Sequence, residues 1–168
     1  MALSSIEEAL AQLRQGGMVV VVDDEDRENE GDLIMPAQDV TADSMAFFLE
    51  YTSGVFCVPI ESARADALDL PLMVVANTEA QRTASTVTVD YRHGTSTGIS
   101  TSDRAATIRA LIDPDGGSAS SMSAMADFVK DGSVGTDQLT RTASSPAFQL
   151  LQEVLQGRNR SDCILFYH

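Results

Sequence analysis

Apolar residues recur at helical spacing near the start of the chain, with Ile6, Ala9, Leu10 and Leu13 on one face. Ser5 stands three positions before Glu8 in a capping-box pattern, and Gly16-Gly17 closes the run, so a helix is predicted there. Met18 to Val22 is apolar without alternation, which predicts a strand buried on both faces, and Leu33-Ile34-Met35 reads as its returning partner. Residues 43–50 predict a helix, Val55 to Ile60 a strand, and Ala63 to Leu68 a short helix before Pro71. Small polar residues alternate with valine from Ser85 to Asp90, the period of a strand with one buried face, and Ser102 is placed to cap a helix through Ile112.

Beyond Ile112 the periodicity fades. Residues 113–126 are mostly Gly, Ser, Ala and Met, and read as a mobile loop rather than a domain linker. Ser145-Pro146 fits the N-cap and first position of a helix to about Gln156, and Cys163 to Tyr167 predicts a last strand. Strands alternate with helices, without an internal repeat or a nucleotide-binding glycine pattern, which gives one α/β or α+β domain over residues 1–168.

Composition narrows the class. The 168 residues are 43% hydrophobic, enough for a core without staples. Lys+Arg number 11 against Asp+Glu 25, a net charge of −14, and such acidity argues against nucleic acid or an anionic membrane as partner. Cys57 and Cys163 lie in apolar runs without metal-ligand spacing, so they read as reduced thiols. The amino-terminal residues show no basic and apolar leader pattern, and no stretch approaches a membrane span; the expected location is cytoplasmic.

The segment between the first two strands is different in kind. Asp23-Asp24-Glu25-Asp26-Arg27-Glu28-Asn29-Glu30-Gly31-Asp32 carries seven carboxylates, whose repulsion must be relieved by solvent or a cation. A solvated acidic turn accounts for the charge alone. Hard oxygen donors at this density also suit Mg²⁺ or Mn²⁺ bound together with the oxygens of a substrate. This run after a valine strand resembles the signature loop of the 3,4-dihydroxy-2-butanone 4-phosphate synthase family. The likeness continues through Thr52-Ser53-Gly54 with Cys57, Leu70-Pro71-Leu72-Met73 with Asn77-Thr78, Thr97-Gly98-Ile99-Ser100, Asp103-Arg104-Ala105 and Thr107-Ile108-Arg109. It covers residues 6 to about 114 almost without gaps.

The resemblance implies an α/β fold with a mixed sheet and flanking helices, assembled as a homodimer with sites at the subunit interface. It implies the conversion of ribulose 5-phosphate to 3,4-dihydroxy-2-butanone 4-phosphate and formate with Mg²⁺, in riboflavin synthesis, and no organic cofactor. By position, Arg27 would contact substrate, Glu28 would hold metal and serve catalysis, and Asp32 would hold a substrate hydroxyl or act as acid/base. Cys57 and Thr97 would line the pocket. A metal on a carboxylate polarises a ketose carbonyl while a nearby carboxylate moves protons, which suits these residue types. Taken alone, Cys57 reads rather as a small core hydrophobe, and Thr97-Gly98 equally as a turn that needs glycine.

After Asp113 the chain departs from the family pattern. Asp131-Gly132-Ser133 stands where the family has Pro-Gly-His, and Ser144 stands at a histidine metal ligand. A glutamate in the final strand is replaced at or near Tyr167, and the chain stops at His168, short of the usual family length. Serine hydroxyls are poor substitutes for imidazole as ligand or base. His93 precedes Gly94 in a turn-like setting and reads as solvent-facing, and His168 as a frayed terminus. Arg141, with Thr142, Ser144 and Ser145 at a predicted helix start, can still hold a phosphate or carboxylate. The sequence therefore predicts a repurposed enzyme acting on a small polar substrate, with or without a phosphate, by enolisation, dehydration or carbon–carbon cleavage. The alternatives are a non-catalytic ligand-binding or partner subunit, and a genuine synthase.

Overall fold

A computed structural model describes residues 3–22, 31–78, 84–115, 117–124 and 164–167. Helix α1, Ile6–Arg14, begins with the capping box its sequence predicts: Glu8 N donates to Ser5 Oγ (3.3 Å) and Ser5 N donates to Glu8 Oε2 (2.9 Å). The chain then turns through Gly16 at φ 76°. Strand β1 (Val19–Val22) pairs antiparallel with β2 (Gly31–Pro36), with Val19 opposite Ile34 and Val22 opposite Gly31, so the predicted return partner is correct. The expectation that β1 is buried on both faces is not: Val20 and Val22 are 67% and 51% exposed. Among the described strands the sheet order is β1, β2, β6 (Ile164–Tyr167), β3 (Phe56–Cys57), which makes β1 an edge, and only its Val19 and Val21 face is covered.

Strand β2 is the inner element. Successive residues on a strand face opposite sides. Ile34 packs with Leu13 of α1 on one side, and Leu33 and Met35 pack on the other against α2 (Ala42–Tyr51) and α4 (Thr101–Ile112) through Met45, Phe48, Ala105 and Ile108. The helices thus flank the sheet as an α/β domain requires. Where a mixed sheet was the expectation, every pairing among the described strands is antiparallel. Strand β3 is shorter than predicted, Phe56–Cys57, and pairs with β6 (Ile164–Tyr167). Val58 and Ile60 leave the ladder because their side chains serve a second core, built on Leu68, Leu70, Ala110, Leu111 and Met122.

That second core lies under a two-stranded sheet. Strand β4 (Val89–Tyr91) begins later than the alternation from Ser85 suggests, since Thr86 makes only an isolated bridge to Leu72. Its partner β5 (Met122–Ala124) and the 3-10 turn Ala119–Ser121 fall inside the stretch read from sequence as a loop; Met122, 3% exposed, anchors them. Helix α3 (Ser62–Ala67) supplies Arg64, whose guanidinium donates to the carbonyls of Ala110 (2.9 Å), Leu111 (2.9 Å) and Gly117 (3.3 Å). The last carbonyls of a helix have no partners within it, and this cation satisfies two of them in α4, those of Ala110 and Leu111. At the other end the N-cap is Ser100 rather than Ser102, because Ser100 Oγ accepts from Asp103 N at 3.1 Å. Among the described residues no helix is long and apolar enough to cross a membrane. The predicted helix from Ser145 and the residue Cys163 lie outside the described residues.

Candidate functional site

The sheet brings two of the expected residues to one side. Asp32 is half-buried on β2 opposite Val21, and shares a strand face with Ile34 two residues on. Cys57, half-buried on β3 and in the thiol form, packs against the cluster of Leu13 and Ile34. Asp32 and Cys57 therefore look out on the α1 side of the sheet. The packing of Cys57 on Ile34 also matches its reading as a small core hydrophobe. Tyr167, at or near the position of the family's final glutamate, lies on β6 opposite Phe56.

Thr97 is exposed in the loop that leads into α4, and this loop is held by groups to which the sequence reading gave no role of their own. Asp103 is only 6% exposed, and its Oδ2 accepts from Ser96 N (3.0 Å), Ser96 Oγ (2.9 Å) and Gly98 N (3.1 Å). The hydrogen bonds from Ser96, backbone first, with those from Ser100 and Gly98, hold the Asp103 carboxyl below the usual carboxylate range against the opposing effect of burial. Gly98 turns at φ 75°, and a Cβ there would fall 2.2 Å from Asp90 Oδ2. The turn thus requires glycine twice over, once for its dihedral and once for the carboxylate packed on it. Burial raises the pKa of Asp90, with Arg104 acting in the opposite sense and Asp103 adding to the rise.

Arg104 ties this loop to the sheet. Its Nε donates to Ile99 O (2.9 Å), a terminal nitrogen donates to Gly54 O (3.2 Å), and the guanidinium lies 5.1 Å from the Phe56 ring centroid. Phe56 immediately precedes Cys57 on β3 and Gly54 lies three residues before it, so one arginine links the Thr97 loop to the strand that carries the thiol. Asp90, Asp103 and Arg104 have a partial signal in the sequence. Asp103-Arg104 belongs to a recognisable motif, yet an aspartate three residues after an N-cap ordinarily reads as a helix-end charge. Only the folded loop shows which amides it accepts from.

The other expected site residues, Arg27, Glu28, Arg141, Ser144 and Ser145, lie outside the described residues, as do Ser133 and His168. His93 is exposed, as expected, and meets Tyr91 edge-on at 5.3 Å. Among the described residues no group of three or more His, Cys, Asp or Glu is arranged to hold a metal ion. Of the seven carboxylates in the acidic segment, Asp32 alone is described. The seven carboxylates of that segment are the hard oxygen donors that suit a divalent cation.

Known proteins place this arrangement. The model of the family described as 3,4-dihydroxy-2-butanone 4-phosphate synthase matches residues 7–138. A 3,4-dihydroxy-2-butanone 4-phosphate synthase of Agrobacterium fabrum is 52% identical over 112 residues, 67% of this chain and 53% of the relative. One of Schizosaccharomyces pombe is 50% identical over 113 residues, 67% of this chain and 55% of its own length. The riboflavin biosynthesis protein RibBA of Rhodococcus jostii is 57% identical over 113 residues, 67% of this chain and 27% of its own. The chain thus spans about half the length of the curated synthases it matches, and less of the RibBA protein. Among solved structures, a 3,4-dihydroxy-2-butanone 4-phosphate synthase in complex with two magnesium ions aligns over 98% of this chain and 75% of its own, with a TM-score of 0.77 and 32% identity. A synthase of Candida albicans aligns over 99% and 80%, with a TM-score of 0.71 and 33% identity.

Proposed function

Because the chain belongs to the 3,4-dihydroxy-2-butanone 4-phosphate synthase family, we propose that it converts ribulose 5-phosphate to 3,4-dihydroxy-2-butanone 4-phosphate and formate. The observation that carries this reading is the family match over residues 7–138, which contains Arg27, Glu28, Asp32, Cys57 and Thr97 together. The likeness to a synthase bound to two magnesium ions supports a divalent cation at Glu28. When bound, such a cation supplies Lewis-acid polarisation of the ketose oxygens.

The protein's own residues do the rest. Asp32, half-buried at the start of β2, holds a substrate hydroxyl and moves a proton from it. Arg27 pairs with the anionic substrate as a planar guanidinium donor. Cys57 and Thr97 bound the pocket, the first from the sheet and the second from the loop before α4. Arg141, Ser144 and Ser145 hold the phosphate, and two copies of the chain assemble so that each site is shared.

A second reading follows from the resemblance. By position, Ser133 and Ser144 would stand where the family pattern has histidine, and a neutral hydroxyl neither accepts a proton near pH 7 nor ligates a metal as imidazole does. On that reading the first-half site enolises, dehydrates or cleaves a related substrate and the full carbon shift is lost. A ¹³C NMR time course with uniformly labelled ribulose 5-phosphate and Mg²⁺ separates the two. Formate with the four-carbon phosphate, abolished in Glu28→Gln without loss of fold, is the expected result. Another product establishes the second reading on this substrate, and unchanged substrate overturns the synthase reading and turns the second to a different substrate.

A further inference from the structure

An exposed loop of small polar residues ordinarily carries high conformational freedom, which must be lost before a hydroxyl within it can act on a bound molecule. The loop from Thr95 to Ser100 has already lost it. Thr95 Oγ1 donates to Tyr91 O, the Asp103 carboxylate takes three hydrogen bonds from Ser96 and Gly98, and Arg104 holds Ile99 O. Asp90 fills the space a side chain at Gly98 would need. The two backbone amides that Asp103 accepts from belong to the residues on either side of Thr97. The helix itself does not require this arrangement, since Ser100 already caps α4 through Asp103 N.

We propose that Asp103 is a positioning residue for Thr97, its carboxylate fixing the backbone on both sides of that threonine so that the hydroxyl stands preset toward the bound substrate. The proposal rests on the reading above that Thr97 bounds the substrate pocket. Arg104 extends the same fixation to Gly54 and β3, so that the loop and the strand bearing Cys57 keep one relative position.

Steady-state formate release from ribulose 5-phosphate and Mg²⁺ tests it, measured for the wild type, Asp103→Asn, Thr97→Val and the double variant, each checked by circular dichroism for fold. The expected result is a kcat roughly 10- to 100-fold lower in each single variant, with KM within about twofold. The double variant should be no slower than the worse single one, because both changes remove the same placed hydroxyl. If Asp103→Asn does not fold, Ser96→Ala replaces it; it removes one of the three donors and should lower kcat in the same direction by a smaller factor. Losses that multiply in the double variant, or a rise in KM with kcat unchanged, overturn the positioning role while leaving the synthase reading intact. Absence of turnover by the wild type overturns that reading, and this inference with it.

Discussion

Gly94 and Gly98 turn with nearly the same positive φ, 74° and 75°, in very different surroundings. No heavy atom lies within 4 Å of a Cβ at Gly94, whereas at Gly98 the Asp90 carboxylate occupies that place. Gly94→Ala should cost only the left-handed backbone penalty, about 1 kcal/mol. Gly98→Ala should cost about 3 kcal/mol, because Asp90 or the loop must also shift. Urea unfolding of the two variants measures the difference, and equal losses would show that Asp90 yields freely. Sequence identified Gly98 as part of a motif; its packing against an aspartate eight residues earlier was not legible there, since nothing in the linear order relates the two.

At the scale of elements, α4 is held at both ends by groups of different origin. Ser100 caps the start from within the local sequence, while Arg64 reaches the far end from α3, more than forty residues away. Arg64→Ala should destabilise the domain by about 2 kcal/mol, since three hydrogen bonds from a charged donor are lost at carbonyls left without partners. Arg64→Lys should recover only part, lacking the planar fork. Thermal unfolding reads both. Ser5→Ala should cost about 1 kcal/mol through the capping box of α1. That box was fully legible because both partners lie three residues apart. The N-cap of α4 was placed two residues late, since Ser100 and Ser102 are equally good caps by composition and only the helix start decides between them.

For the molecule as a whole, the described carboxylates shift in opposite directions, Asp103 and Glu8 downward and Asp90 upward, and each direction gives stability a pH dependence of its own sign. Asp103 ionises more readily when folded, so its contribution is present above the ordinary aspartate range, about pH 4, and is lost as pH falls through its lower folded value. Asp90 binds its proton more tightly when folded, so its contribution is full below about pH 4 and is lost as pH rises through its higher folded value. The net charge of −14 also penalises the compact state toward neutral pH. Melting temperature should therefore peak in mildly acid solution and fall on both sides. Asp103→Asn should blunt the acid-side fall, and Asp90→Asn should blunt the fall above the peak. Melts from pH 3 to 8 check this, and a wild-type curve that climbs steadily through the whole range would contradict the assignment of Asp90.

The sequence by itself determined what depends on near neighbours in the chain: the cap of α1, the pairing of β1 with β2, the approximate helices, and the motifs that place the chain in its family. Its limits were equally physical. A run of valines states that a strand is apolar but not whether both faces find cover, and β1 proved to be an edge with Val20 and Val22 exposed. The stretch after Ile112 lacks periodicity, yet Met122 finds a core among α3 and α4 and draws β5 onto β4. Tertiary structure alone decided that Asp32 and Cys57 share a sheet face, and that Asp103 and Arg104 bind the Thr97 loop to helix and sheet. Arg104 and Gly54, like Asp32 and Cys57, are far apart in the chain, and even the short-range bonds of Asp103 depend on the folded path of the loop.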